Sequence, residues 1–404
     1  MSATEVTRGG GAEAPRGCEV LVCGGGVIGS AVAYFLAAGG FDGRVVVVER
    51  DPGYADSSTA RSVGGIRQQF STPENIRMSR FGAEFLRAAD ELLAVDGVAP
   101  GIPFVANGYL FLAGPAGEAV LRANHTVQRA EGAAVRLLEP GELARRFPWL
   151  STAGVALASL GERDEGWTDP WALLQGLRRK ARSLGVRYLH DELCAVERIG
   201  GRVRAVRLRS GARIECAVLV NAAGPAAARV AAMAGVELPV RPRRRQAFAF
   251  RAPSPRPDAP LVIDPSGLYF RPEGEGFICG IGPRPGEDPD CETLEVDAEW
   301  FEERIWPLLA ARVPEFERLR PGRAWAGLYA YNTLDQNAIL GPHPELPNLL
   351  FANGFSGHGL QQAPAVGRGI AELIVHGAYR TLDLSRLGYQ RIAAGEPLAE
   401  RNVV

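Results

Sequence analysis

CEVLVCGGGVIGSAVAYFLAAGG at residues 18–40, followed by the turn FDGR and then VVVVER at residues 45–50, decides the architecture of this chain. A short apolar run, Val20, Leu21 and Val22, leads into Gly24, Gly26 and Gly29 at GxGxxG spacing and then into an Ala-rich apolar segment. The order predicts strand, tight turn, helix and second strand. One glycine makes the turn, a second lets the backbone approach a pyrophosphate, and a third lets the helix lie close on the strand. At the start of that helix the N–H groups of Val27 and Ile28 have no intrahelical acceptor, and the helix dipole favours anions there. Glu49 ends the second strand where a carboxylate takes ribose hydroxyls, with Arg50 beside it. Together these features point to a dinucleotide-binding βαβ unit.

Working outward, 404 residues are many for one core and suit two domains, or one domain with an insertion. A hydrophobic fraction of 46% and a charged fraction of 23% are those of a soluble globular protein. A net charge of −1 gives no electrostatic attraction for nucleic acid or acidic membranes. The small, polar, Gly-rich residues 1–17 read as a frayed tail and not a signal peptide. With no run of eighteen apolar residues, no membrane insertion is expected and the protein is placed in the cytoplasm. The six cysteines (18, 23, 194, 216, 279, 291) are scattered, without CxxC pairs or histidines at ligand spacing. That argues against a metal site and against a disulfide framework. Cys18 and Cys23, flanking the first strand, read as small core residues. Among the basic residues Lys180 is the only lysine.

Further along, SSTARSVGGIRQQF (57–70) lacks periodicity and suits a loop laid along a cofactor. From Pro73 the residues Ile76, Met78, Phe81, Phe85 and Leu86 form one helical face. A strand is expected at 108–112 and helices at 116–131 and 139–147. Thr168-Asp169-Pro170 marks a capped helix start, with Trp171, Leu174, Leu177, Ala181 and Leu184 as its buried face. A hairpin, 203–209 with 213–216, precedes a buried strand that ends in Ala222, Ala223 and Gly224, where something presses on the backbone. Prolines and arginines become dense over 236–324, with short strands at 246–250, 268–271 and 277–281 and a helix at 298–309, which reads as a sheet-rich insertion. Finally a strand at 349–352 leads through GFSGHG (354–359) into a helix with Val366, Ile370, Leu373 and Ile374 on one face. Pro364 is expected in the first turn of that helix, leaving a second anion-ready N-terminus.

The order of these motifs resembles the D-amino-acid oxidase superfamily of flavoproteins over residues 18–380. Similar groups within it are the sarcosine oxidases and dimethylglycine dehydrogenases, D-arginine dehydrogenase, and the FAD-dependent oxidoreductase-domain proteins linked to respiratory complex I assembly. The resemblance is carried by SSTARSVGG, VNAAGP (220–225), PRRRQAF (242–248) and GFSGHGLQQAPAVGR (354–368). It implies an α/β chain, α+β overall, with a discontinuous Rossmann-like FAD-binding domain (18–90, 151–235 and 325–404). The substrate domain, a mainly antiparallel sheet, takes 91–150 and 236–324. FAD lies extended, with pyrophosphate on Gly24 to Gly29, ribose on Glu49 and adenine near Leu193. Ser58, Thr59, Arg61 and Ser62 run along it. Gly357, His358, Gly359, Leu360 and Gln361 meet the flavin's pyrimidine edge, where a helix N-terminus stabilises the reduced anion, and Gly327 lies beside the flavin.

The implied activity is oxidation of a C–N bond in an amino acid or N-methyl amino acid by hydride transfer to flavin N5, with hydrolysis of the resulting imine. Alternatives are a flavoenzyme for a hydroxy acid or specialised amine, and a low-turnover flavin-binding assembly factor. The electron acceptor is a quinone, an electron-transfer protein or oxygen. Non-covalent FAD is expected, because relatives that attach it through histidine do so where Arg61 stands, and those that use cysteine do so near Leu328, where 327–331 has none. Ungapped matching puts Arg67 where sarcosine oxidases bind the substrate carboxylate, with Gln361 and Tyr269 lining the pocket. Two departures accompany it: a partner lysine appears as Gln361, and the carboxylate-binding arginine of D-arginine dehydrogenase appears as Tyr329. The lysine that speeds oxygen reaction in sarcosine oxidases falls within 268–282, which has none, so a dehydrogenase is expected, with Arg271 or Arg284 as the nearest substitutes.

Overall fold

The computed structural model describes residues 14–284 and 286–401; of the expected tail, residues 1–13 lie outside the described residues and Gly17 already begins a strand. The opening stretch folds as β1 (Gly17–Cys23), α1 (Val27–Ala38) and β2 (Val45–Glu49). Val20, Leu21, Val22 and Val45 to Val48 are all buried. Each such side chain contributes about 1.5–3 kcal/mol relative to exposure, which is why this apolar run holds the middle of a sheet.

That sheet has eight strands among the described residues, in the order Leu193–Ile199, Arg202–Leu208, Arg213–Asn221, β1, β2, Arg187–His190, with Leu349–Asn353 also pairing with Arg213–Asn221 and Ile339–Pro342 beyond it. The pairs around β1 are parallel, so β1 and Arg213–Asn221 end side by side, at Cys23 and Asn221. Four helices share the core on one face: α1, Pro73–Arg87, Pro170–Ser183 and Gly359–His376. They cross closely. A Cβ on Gly367 would stand 2.6 Å from the Ala31 carbonyl carbon, and one on Gly82 would meet the Gln361 carbonyl oxygen. The helix Gly359–His376 thereby packs tightly on both α1 and Pro73–Arg87.

The second sheet is also eight-stranded among the described residues and antiparallel except where Leu261–Ile263 runs parallel to Tyr109–Ala113. Its widest pairing joins Val240–Arg251 to Arg320–Asn332. It takes in Leu157–Gly161 and all of Arg320–Asn332, which the expected domain boundaries at 151 and 325 assign to, or divide with, the first unit. A small third sheet pairs Gly65–Ile66 and Phe104–Val105 with Gly166–Thr168.

Four local expectations are corrected. The strand at 213–216 and the buried strand after it are one element, Arg213–Asn221. It alternates while it pairs at the hairpin edge and becomes fully buried where β1 and Leu349–Asn353 flank it. The helix Pro170–Ser183 buries Leu173, Leu174, Gly176, Leu177 and Ala181, whereas Trp171 and Leu184 are 45% and 42% exposed. Trp171 sits in the first turn and Leu184 at the C-cap, both past the part that faces the core. The segment expected as one helix at 298–309 is a short turn, a π-turn over Phe301–Ile305, and Trp306–Arg312, because Pro307 supplies no N–H for a continuous ladder. Pro364 lies inside Gly359–His376 and not in its first turn, so it is the Leu360 carbonyl that lacks its usual donor.

Candidate functional site

The βαβ turn is shaped for a ligand that needs backbone donors. Gly24 has φ of +101°, and a Cβ there would overlap the Ala222 carbonyl oxygen; a Cβ on Gly29 would overlap the Gly24 carbonyl. Ala222 and Ala223 thus press against the turn, as the small residues at the end of that strand predict. No side chain of the N-cap Gly26 covers the first N–H groups of α1. One neighbour partly does, since the Thr59 hydroxyl accepts from Val27 N–H at 3.2 Å. Glu49 accepts from Gly25 N–H at 2.7 Å and from Asp51 N–H at 2.9 Å. A carboxylate has about four acceptor sites, so two remain for a diol. Gly224 lies beyond at the start of a 3₁₀ turn, and Arg50 is exposed. Leu193 begins the edge strand just after Asp191, whose N–H donates to the Glu49 carbonyl at 3.0 Å. A cradle that excludes side chains, an uncapped helix N-terminus and a carboxylate at the far end fit the phosphates and ribose of a dinucleotide.

The segment after β2 ties this cradle to the second sheet. Ser58 donates to the Leu328 carbonyl at 2.5 Å, and Ser62 accepts from Gly64 N–H at 3.1 Å. Arg61 turns its guanidinium to the carbonyls of Ala55 and Ala326 and to Asp56, so its side chain is a structural tie. Gly327 lies against it, 3.1 Å from Arg61 Cβ to a Cβ built there.

The second helix N-terminus, at Gly359, also has no side-chain cap. Gly357 has φ of +98°, and a Cβ there would stand 2.5 Å from the Tyr329 ring. Arg67, His358 and Gln361 converge beside it. Arg67 N–H donates to Gln361 Oε1 at 2.7 Å, Nη1 donates to the Gln69 carbonyl at 2.6 Å, and Nη2 lies 3.2 Å from His358 Nε2. Because guanidinium only donates, His358 Nε2 accepts and its proton sits on Nδ1. Burial and then the Arg67 charge hold His358 down to about 3, so it is neutral. The Arg67 guanidinium also lies 4.0 Å from the Phe70 ring centroid, and burial lowers its own pKa. Tyr269 shares a cluster with Tyr109 and Tyr329; burial raises all three hydroxyls, and the Arg67 charge opposes the rise at Tyr109 and Tyr329. The structure therefore brings together all four substrate-side candidates, while the Gln361 side chain braces the Arg67 backbone.

Sequence reading missed Tyr109, and it missed two buried carboxylates. Glu165 accepts from Gln68 N–H and Gln69 Nε2, and Glu400 accepts from the N–H and hydroxyl groups of both Ser71 and Thr72. An acid at the head of EGWTDP, two residues before Trp167, signalled Glu165; nothing local signalled Glu400. Among the described residues no group of histidines, cysteines and acids could hold a metal ion, and no helix is long and apolar enough to cross a membrane.

Comparison with known proteins sets this geometry in context. Residues 19–373 match the family described as FAD dependent oxidoreductase (DAO). The chain is 46% identical to FAD-dependent oxidoreductase domain-containing protein 1 of Xenopus laevis, over 96% of this chain and 85% of that protein. It is 28% identical to glycine oxidase of Geobacillus kaustophilus, over 88% of this chain and 92% of that one. Among solved structures, L-proline dehydrogenase from P. horikoshii superposes with a TM-score of 0.85 at 30% identity, covering 95% of this chain and all of that one.

Proposed function

Because the chain belongs to the FAD dependent oxidoreductase (DAO) family, we propose that it is a dehydrogenase of an amino acid or N-methyl amino acid, with FAD held non-covalently. The observation that carries this reading is the buried Arg67 guanidinium, aimed by a backbone carbonyl and a neutral histidine beside an uncapped helix N-terminus. When bound, FAD supplies a hydride acceptor for a carbon bonded to nitrogen. Gly24 to Gly29 and Glu49 hold its phosphates and ribose. The uncapped N–H groups at Gly359 and Leu360 would stabilise negative charge gained by the ring.

Arg67 takes the substrate carboxylate, since a planar fork matches two oxygens better than an ammonium does. Tyr109, Tyr269 and Tyr329 surround the remainder, and electron-rich rings favour an alkylated ammonium. Gln361 and His358 add no charge: Gln361 holds the Arg67 backbone N–H, and His358 accepts from the guanidinium. The sole lysine donates to the Ala94 carbonyl, Arg271 is committed to Glu273 and to the carbonyls of Val63 and Pro272, and Arg284 is exposed. Lys180 and Arg271 are thus committed elsewhere, which supports a quinone or an electron-transfer protein as acceptor.

Anaerobic mixing with amino acids, N-methyl amino acids and hydroxy acids tests the reading through bleaching of the flavin absorbance. Bleaching by the first two classes, with re-oxidation faster by a quinone than by air, is expected. Arg67→Ala is expected to raise KM about 10- to 100-fold with FAD retained, the loss of one charge-assisted contact of about 1.5–3 kcal/mol. Unchanged affinity for a carboxylate substrate would sink the assignment, and bleaching by none of the panel would favour the assembly role.

A further inference from the structure

The segment that carries Arg67 is fixed from both sides by buried glutamates. In the small third sheet Gly65 faces Trp167 and Ile66 faces Gly166, so the next step of the register sets Glu165 abreast of Arg67. Glu165 is 1% exposed. Its Oε1 accepts the Gln68 N–H at 2.6 Å, and its Oε2 accepts Gln69 Nε2 at 2.7 Å. The Gln69 amide cannot turn over to suit a changed partner: Nε2 also donates to the Tyr109 carbonyl at 2.8 Å, and Oε1 accepts from the Ser159 hydroxyl at 2.7 Å. The backbone carbonyl of the same Gln69 accepts from Arg67 Nη1 at 2.6 Å.

From this chain of contacts we infer that Glu165 is a positioning residue for substrate binding. As a carboxylate it holds the Gln68–Gln69 backbone so that the Gln69 carbonyl aims Arg67 at the substrate carboxylate; as a carboxylic acid it releases that aim. The inference rests on the reading of Arg67 as the carboxylate site. Both oxygens face fixed donors, Gln68 N–H and Gln69 Nε2, so a proton on either one leaves a weaker acceptor there and weakens one of the two bonds. Burial pushes the Glu165 carboxyl up to about 7, against the bonds from Gln69 and Gln68 and the charge of Arg67.

The other titratable groups facing Glu165 or Arg67 do not compete near neutral pH. Burial raises Tyr109 and Tyr329, His358 is held down to about 3, and Glu400 is lowered below the ordinary glutamate range. Ionised Glu165 also repels an incoming carboxylate. That repulsion is shared with the adjacent guanidinium, whereas misplacing a clamp by an ångström costs up to about a hundredfold, so positioning decides the sign.

The test is the dissociation constant of acetate from the FAD-loaded protein, measured by calorimetry from about pH 5.5 to 8.5. Binding is expected to tighten at least about fivefold as the pH rises through 7. Glu165→Gln is expected to bind acetate weakly at every pH, without the slope and with FAD retained. If Glu165→Gln fails to fold, the wild-type profile and Ser159→Ala decide, since Ser159→Ala frees Gln69 and should weaken binding at high pH. A flat wild-type profile, an unweakened Ser159→Ala or a slope surviving in Glu165→Gln overturns the inference, and tightening as the pH falls shows repulsion instead and overturns it too. Arg67→Ala separates the two readings: undiminished acetate binding there removes the carboxylate site itself, whereas weakened binding there with a normal Glu165→Gln removes only the positioning role.

Discussion

The helix N-termini at Val27 and Gly359 both lack a side-chain cap, yet they are built by opposite means. At Val27 the site is local and made of backbone. Gly24, Gly26 and Gly29 lie within six residues, and what Gly24 and Gly29 contribute is the absence of Cβ atoms where other backbone passes. At Gly359 the surroundings are side chains from distant segments: Tyr329, Arg67 braced by Gln361, and beyond Arg67 the carboxylates Glu165 and Glu400. A site made of amides tolerates change in everything except backbone shape, while a site made of converging side chains depends on what holds each one.

The largest effect expected from that difference is Gly24→Val. A β-branched residue at φ of +101° is strained, and its Cβ would overlap the Ala222 carbonyl, so the turn must move and with it the N–H groups proposed for the pyrophosphate. The variant is expected to purify without the visible absorbance of bound flavin. Stoichiometric FAD in Gly24→Val would break the local account of this end.

How far the sequence could be read follows the same division. The βαβ unit, Glu49, the close approach of Ala222 and the capped helix at Pro170 were legible because spacing, burial and capping act over a few residues. Pro364 was misplaced because the helix begins at Gly359, where the chain turns off the Tyr329 ring, and not where proline prefers to sit. Trp171 was misassigned because periodicity marks a stripe without saying where the core ends. Arg67 is singled out as a candidate only through a resemblance. The pairing of Gly65–Ile66 with Gly166–Thr168, which sets Glu165 beside it, spans about a hundred residues and leaves no local pattern.

A smaller effect sharpens the substrate-side half of the comparison. Glu400 accepts from Ser71, Thr72 and Asn75, all donors, so the amide of Glu400→Gln would turn an N–H toward one of them. Burial raises the Glu400 pKa, but these hydrogen bonds reverse the rise and leave it lowered. A carboxyl lowered on folding contributes stability that is present above its unfolded value of about 4.3 and is lost as the pH falls through the folded value. Denaturant unfolding at pH 7 is therefore expected to find Glu400→Gln less stable by about 1.5–3 kcal/mol. Below pH of about 4 the gap should close; a gap independent of pH would mean that shape, and not charge, matters there.

The smallest expected effect comes from a third helix N-terminus, which is the contrast the other two need. Asp169 Oδ1 accepts from Trp171 N–H at 2.8 Å and Ala172 N–H at 3.0 Å, so Pro170–Ser183 begins with its donors already satisfied. If an uncapped terminus marks a place kept open for a ligand, a capped one should matter to stability alone. Asp169→Ala removes two hydrogen bonds and a favourable charge at the positive end of the dipole, a loss of about 1 kcal/mol. In a chain of this size that lowers Tm by roughly 1–3 °C. Scanning calorimetry should find the shift while FAD content and acetate affinity stay at wild-type values. A loss of FAD from Asp169→Ala, with Tm unchanged, would show that this terminus also serves the ligand and that capping does not separate structural helix ends from functional ones.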